Sequence, residues 1–391
     1  MKFELSWNTF GAEEIVALHR TIDSGRFTMG PQVAAFEAAF AEHFGVRHAL
    51  MASSGSAANL LAVAALCYRQ EHPLQRGDEV IVPAIGWATT YAPLQQYGLR
   101  LRFVDVELDT LNLDVAQLEK ALTPRTRMLV AVSILGNPAA LDLMRAFCNH
   151  HNLIFLEDNC ESLGAELNGR YAGTFGDLGT FSFFFSHHIS TMEGGMLVTD
   201  DAELYQLACS LRAHGWTRDL PQPNQICEKR ADDFFEAYRF ILPGYNLRPL
   251  EFGGAVGLEQ LKKLERFLEV RRRNATHFVA LFGGHRDVII QRENGRSSWF
   301  SFTLILPPEL GDIRGLVLDT LRQADIEFRI ITGGCFPCHE VIQHFDYDTL
   351  DDLPNARLAH ERGFFVGNYP VDLRAQLDRL AGVLDRALPH L

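Results

Sequence analysis

The sequence predicts an α/β fold: a large domain built on a mainly parallel seven-stranded sheet, residues 1–250, and a smaller C-terminal α/β domain, residues 251–391. Three observations predict it. Short apolar runs rich in Val, Ile, Leu and Phe recur at 49–52, 79–82, 101–104, 128–132, 154–157, 179–183 and 196–199, and read as buried strands. Several of the segments between them carry the helical period, the alternation that covers a parallel sheet on both faces. After Leu250 the pattern changes to a charged amphipathic helix at 258–273 and shorter apolar runs at 288–291, 299–305 and 326–330. Two further helices, at 13–23 and 32–44, precede the first strand.

Composition narrows the function. A chain of 391 residues with 47% hydrophobic residues can bury a sizeable core. With 36 Lys+Arg against 49 Asp+Glu the net charge is −13, which repels nucleic acid and anionic membrane surfaces alike. The first residues lack a basic region followed by an apolar run, and no stretch approaches the roughly 18 apolar residues of a membrane helix, so a cytoplasmic protein is expected. Seven cysteines at irregular spacing do not resemble a disulfide framework. Cys335-Phe336-Pro337-Cys338-His339 matches the C-x-x-C and C-x-x-C-H patterns. Haem attachment follows export, however, and zinc would need two further ligands. The pair reads as two thiols in a turn opened by Gly333-Gly334, with no metal.

Ligands of open parallel sheets sit at the carboxyl ends of the strands, so the residues that follow each run are the candidates. After the first run, Ser53-Ser54-Gly55-Ser56 leads into a helix, and free N–H groups at a helix start beside serine hydroxyls can cradle a phosphate. An ordinary helix cap reads the same way. The run at 154–157 ends on Asp158, a carboxylate that would need a cationic partner if buried; a helix-capping aspartate is the alternative. Trp87, beyond the run at 79–82, could stack on a flat ring or simply pack. The run at 179–183 leaves the sheet through Phe184-Phe185-Ser186-His187-His188, ahead of Met192-Glu193-Gly194-Gly195.

These segments resemble the sugar aminotransferase and dehydratase branch of the fold-type I pyridoxal phosphate (PLP) enzymes, from about Phe27 to Gly367. The anchors are Ser53-Ser54-Gly55-Ser56, Leu156-Glu157-Asp158-Asn159-Cys160-Glu161-Ser162, the stretch 181–195, and Pro243-Gly244-Tyr245-Asn246-Leu247-Arg248-Pro249. Most members of that branch have a lysine in the third anchor; counting back from Glu193-Gly194-Gly195 places His187 there. The lysines of the chain are Lys2, Lys120, Lys229, Lys262 and Lys263, none at a ligand-facing strand end. Imidazole can move protons near neutral pH but cannot hold the cofactor aldehyde covalently as lysine does. Ser186-His187-His188-Ile189 and His214-Gly215-Trp216-Thr217-Arg218 are similar to the sugar 3-dehydratases of the branch. Related members with histidine at this position carry an iron–sulfur cluster on cysteines beyond the His-Gly-Trp region. Cys227 alone lies there, so no cluster is expected.

The resemblance implies an aspartate aminotransferase-like fold and a glutamate-dependent dehydratase. Its cofactor would be PLP and the amine form PMP, and its substrate a nucleotide-linked 4-keto-6-deoxyhexose, GDP-4-keto-6-deoxymannose above all. His187 would be catalytic, Asp158 would pair with the pyridine nitrogen, Trp87 would stack and Glu161 would lie near the ring. Gly55, Ser56 and Ser182 would hold the phosphate, and Asn246 would reach it from a second subunit of a homodimer. His188, His214, Arg218, Arg248 and Arg329 would meet the substrate. Departures at Ile330 and Tyr369 bear on the choice of sugar and nucleotide. A sugar aminotransferase would instead give an amine-bearing product, and a non-catalytic PLP-binding regulator would show no glutamate-dependent turnover.

Overall fold

The computed structural model describes residues 2–388. Every run expected before residue 200 forms a strand: β1 (His48–Ala52), β2 (Glu79–Pro83), β3 (Arg100–Val104), β4 (Thr126–Val132), β5 (Ile154–Asp158), β6 (Leu178–Ser182) and β7 (Gly195–Thr199). Beyond residue 250 come β8 (Ser301–Ile305), β9 (Phe328–Arg329), β10 (Tyr347–Thr349) and β11 (Gly363–Gly367). The large sheet has eight strands in the order β1-β7-β6-β5-β4-β2-β3-β10, and β7 alone runs against the rest.

The eighth strand has no apolar signature. Tyr347-Asp348-Thr349 pairs with β3 at the sheet edge through its backbone, and Arg102 grips Asp348 at 2.7 Å. Polar edge strands of this length leave no period to read.

Both faces of the sheet are covered, as near-continuous apolar strands require. Val80, Val82, Met128, Val130 and Leu156 point to the helix Gly55–Tyr68, while Ile81, Leu129, Ala131 and Phe155 point to Leu141, Met144 and Cys148 of the helix Leu141–His151. Each such side chain contributes about 2 kcal/mol by leaving water. The helix Pro31–Phe44 ends on Gly45, whose φ of 67° suits a residue without a side chain, and carries Phe36 and Phe40. Phe40 packs edge-on against Phe181 and Phe183, and Phe36 tilted against Phe183, at 5.3 to 5.7 Å, so the exit of β6 is anchored by aromatic contacts.

The C-terminal sheet is antiparallel, in the order β8-β11-β9, with Phe302 of β8 stacked on Phe278 at 4.4 Å. The helix expected at 258–273 is two helices, Glu251–Leu261 and Leu264–Phe282. The chain turns at Lys262-Lys263, where Gln260 and Lys263 both reach the buried Glu14 of the N-terminal helix. The run expected at 299–305 begins two residues late, because Trp299 has a φ of 47° and cannot start a strand. Residues 288–291 supply one bridge, Ile289 to Ile305, and the run at 326–330 shortens to β9.

Candidate active site

The parallel strands deliver their carboxyl ends to one edge, and the candidates from β1, β5 and β6 meet there. Asp158 closes β5 with its side chain buried, 4% exposed. Its Oδ2 accepts from Asn59 Nδ2 at 2.9 Å and Thr90 Oγ1 at 2.7 Å, and its Oδ1 accepts from the Cys160 N–H at 3.1 Å. Thr180 of β6 donates to Asn59 Oδ1 at 2.5 Å, which fixes the amide with its NH2 toward the carboxylate. All these donors are neutral, and no cationic side chain among the described residues pairs with Asp158. A buried carboxyl group with only neutral donors offers a place for a cation.

Ser54 caps the helix Gly55–Tyr68 through the Ala57 N–H at 3.0 Å, leaving the N–H groups of Gly55 and Ser56 without a helical acceptor. A side chain at Gly55 would meet Ser182 Cβ at 2.6 Å and Cys160 Sγ at 2.8 Å. Glycine is therefore required for β1 and β6 to bring two serine-bearing loops together. The exposed Ser56 hydroxyl bonds Thr89 at 2.8 Å, and Ser182 ends β6 beside it, so this corner can cradle an anion.

Beyond Ser182 the chain turns, with the His187 N–H donating to the Phe184 carbonyl at 2.9 Å. The His187 imidazole stands edge-on to Phe300 at 5.1 Å, and its Nδ1 is out of solvent with no hydrogen-bond partner. Burial first, then the charge of Arg271, pushes the ring down to about 3, so it is neutral at neutral pH. His188 is fully buried with Nε2 at 3.2 Å from the Ser298 carbonyl, and the same two causes hold it well below the usual range. Glu161 Oε2 accepts from the Leu135 N–H at 3.1 Å and Thr332 Oγ1 at 3.0 Å, and burial pushes it up to about 7. Both donors sit on residues with positive φ, Leu135 at 50° and Thr332 at 50°, so local backbone strain is concentrated around this carboxyl.

The lysines are placed elsewhere. Lys2 pairs with Glu327, Lys262 with Glu259 and Lys263 with Glu14, Lys229 donates to the Leu220 carbonyl, and Lys120 lies in the short helix Leu118–Ala121.

A second group gathers around Trp216. Arg218 lies over its ring at 4.4 Å, Arg248 at 5.9 Å and His214 beside it at 4.7 Å, while Arg248 Nε donates to Asn246 Oδ1 at 2.9 Å. The Ser53 N–H donates to the Leu247 carbonyl at 3.0 Å, which ties this segment to the end of β1. Among the described residues no side-chain bond joins the group to Asp158 or His187. Trp87 is 56% exposed at the start of the helix Ala88–Gln96, presenting a free indole face. Arg329, on β9, donates to its neighbour's carbonyl at Phe328 and bonds neither Asp158 nor Glu161.

Sequence reasoning missed Asn59, Thr90, Thr180, Leu135, Thr332 and Phe300. Asn59 alone left a signal, a lone amide in the apolar helix sequence GSAANLLAVAALCY. The others come to the site from separate strands and loops, and nothing local marks them.

The fold and these site segments define the class: the chain belongs to the DegT/DnrJ/EryC1/StrS aminotransferase family, whose pattern matches residues 8–384. Its fold is that of the PLP-dependent aminotransferases. Within the family it is 49% identical to the GDP-4-keto-6-deoxy-D-mannose 3-dehydratase of Yersinia pseudotuberculosis, over 99% of each chain. It is 47% identical to the GDP-4-keto-6-deoxy-D-mannose 3-dehydratase of Escherichia coli O55:H7, over 98% of this chain and 100% of the other. The crystal structure of a GDP-4-keto-6-deoxymannose-3-dehydratase with a trapped PLP-glutamate geminal diamine superposes with a TM-score of 0.96. That pair is 47% identical, and the match covers 98% of this chain and 100% of the other.

Proposed function

We propose that the chain is a PLP/PMP- and glutamate-dependent 3-dehydratase of a nucleotide-linked 4-keto-6-deoxyhexose. GDP-4-keto-6-deoxy-D-mannose is the substrate and GDP-4-keto-3,6-dideoxy-D-mannose the product. The observation that carries this reading is His187 on the exit of β6, at the position where the family's lysine falls, with every described lysine placed elsewhere. The 3-dehydratase relatives, matched from end to end, supply the substrate.

The residues present fit the cofactor. Asp158 offers a buried negative charge to a protonated ring nitrogen, with Asn59 and Thr90 keeping the carboxylate in place. Gly55, Ser56 and Ser182 form the phosphate corner, and the exposed Trp87 has a free face for stacking. When bound, the cofactor supplies an electron sink. His187, neutral and with an unshared Nδ1, takes up the proton whose removal drives loss of the C3 hydroxyl. No lysine stands by to return a proton to the sugar, so the amine is not retained and the ketone is recovered. One glutamate becomes 2-oxoglutarate and ammonia for each hydroxyl lost, which balances the oxygen removed from the sugar.

The protein acts in the cytoplasm, where its free thiols persist. It acts as a homodimer: exposed Phe184 and Phe185 beside His187 form an apolar rim that a second copy covers, bringing Asn246 and Arg248 to the phosphate and the sugar diphosphate. Incubation with PLP, glutamate and a panel of nucleotide-linked 4-keto-6-deoxy sugars, read by mass spectrometry, tests the reading. Loss of one oxygen from the GDP-linked manno sugar is expected. A 4-amino product would make the chain an aminotransferase, and no glutamate turnover with any sugar would make it a binding protein.

A further inference from the structure

Four consecutive carbonyls, from Ser297 to Phe300, are each held by a different side chain. Arg272 Nε donates to Ser297 O at 2.9 Å, and His188 Nε2 lies 3.2 Å from Ser298 O. Asn368 Nδ2 donates to Trp299 O at 2.7 Å, and Arg271 Nη1 donates to Phe300 O at 3.0 Å. Trp299 in this segment has a φ of 47°, a costly value for an aromatic residue that persists only where the surroundings over-determine it. The two arginines come from the helix Leu264–Phe282, and Arg271 also donates to the Asn368 carbonyl at the end of β11.

The segment presents the Phe300 ring to the site, edge-on to His187 at 5.1 Å and to His188 at 5.6 Å. The Phe300 N–H continues to the Leu135 carbonyl at 3.0 Å, and the Leu135 N–H donates to Glu161. One backbone path thus links the imidazole wall to the Glu161 carboxyl. Arg271 itself is 2% exposed, bonds carbonyl oxygens, and has no carboxylate partner among the described residues. Burying an unpaired guanidinium is costly, and an apolar side chain of similar length would fill the space more cheaply.

We infer that Arg271 is a positioning residue for His187: by gripping the Phe300 carbonyl it fixes the aromatic wall on which the imidazole rests. The charged and titratable groups facing the two imidazoles are each other, Arg271 and Arg272. The segment 297–300 and the turn 184–186 contribute none. The charge of Arg271 acts in the same direction as burial and disfavours the protonated His187 ring. The inference rests on the proposed role of His187.

The test uses Arg271→Met and Arg271→Lys in the full chain, both checked for cooperative melting. The readouts are the NMR titration of the His187 ring, identified by its loss in His187→Asn, and kcat and KM of the loaded enzyme. In Arg271→Met the His187 titration should move up, with kcat down at least about tenfold and KM little changed. Arg271→Lys keeps the charge without the fork, so the titration should stay near wild type while kcat is partly recovered. Should Arg271→Met not fold, Arg271→Lys carries the test alone, through a lowered kcat at an unmoved titration. A folded Arg271→Met protein with an unmoved His187 titration overturns the inference, as does a wild-type kcat in both variants. If the titration moves but His187→Asn is fully active, the proposed function fails while the effect of Arg271 on the ring stands.

Discussion

Asp158 closes β5 and His187 follows β6, its neighbour in the sheet, yet the two are kept in different ways. Both oxygens of Asp158 have donors, and the Asn59 that serves it is itself fixed by Thr180. His187 has an unpartnered Nδ1 against the edge of a phenyl ring, with a buried guanidinium behind. The first arrangement is complete as a holder of charge. The second leaves a proton acceptor unspent, and the difference separates the part of the site that binds from the part that reacts.

The sharpest way to break that distinction is His187→Asn. Turnover should fall by about 10²–10⁴-fold, the range for losing a general base, while PLP binding measured by titration stays near wild type. Equal loss of binding and turnover would show that both sides hold the cofactor. Asp158→Asn should act on both. Without its charge, affinity should weaken and turnover fall by about a hundredfold; near-normal activity with the cofactor bound would remove Asp158 from the ring nitrogen.

The two sides also differed in how far they could be read from sequence. Asp158 and Gly55 follow apolar runs, so locating the strands located them, while Ser182 lies within such a run and was singled out by the resemblance; seven strands of the large sheet were legible in that way. His187 needed the resemblance, because a histidine after a strand says nothing until its place is counted from Glu193-Gly194-Gly195. Arg271 was invisible, as the first of Arg271-Arg272-Arg273 in a helix whose charges read as solvated. Burial of a charge is decided by what packs over it, here Phe300 and Asn368, which come from distant parts of the chain. The edge strand β10 was lost for the opposite reason: its pairing is a backbone matter and its side chains are polar.

A smaller effect separates the sides by pH. Folding pushes His187 from 6.5 down to about 3, so between those values the unfolded chain holds a proton that the folded chain does not. Its contribution to stability is therefore lost as pH falls below 6.5. Glu157 and Glu161, pushed up to about 7, act in the opposite sense, their contribution declining as pH rises from 4.5 to 7. Melting temperatures of the wild type and His187→Asn between pH 6.5 and 4.5 isolate the imidazole. The variant should lose less on acidification, by a few degrees at most, since the ring is partly exposed; parallel curves would mean that the ring is as easily protonated folded as unfolded.

The most direct test of the central claim, that His187 stands where a lysine would hold the cofactor, is borohydride reduction of the PLP-loaded protein followed by denaturing mass spectrometry and peptide mapping. The wild type should carry no pyridoxyl group at the site, and His187→Lys should carry one at position 187. A stoichiometric adduct on Lys2, Lys120, Lys229, Lys262 or Lys263 of the wild type, protected by the nucleotide sugar, would contradict it.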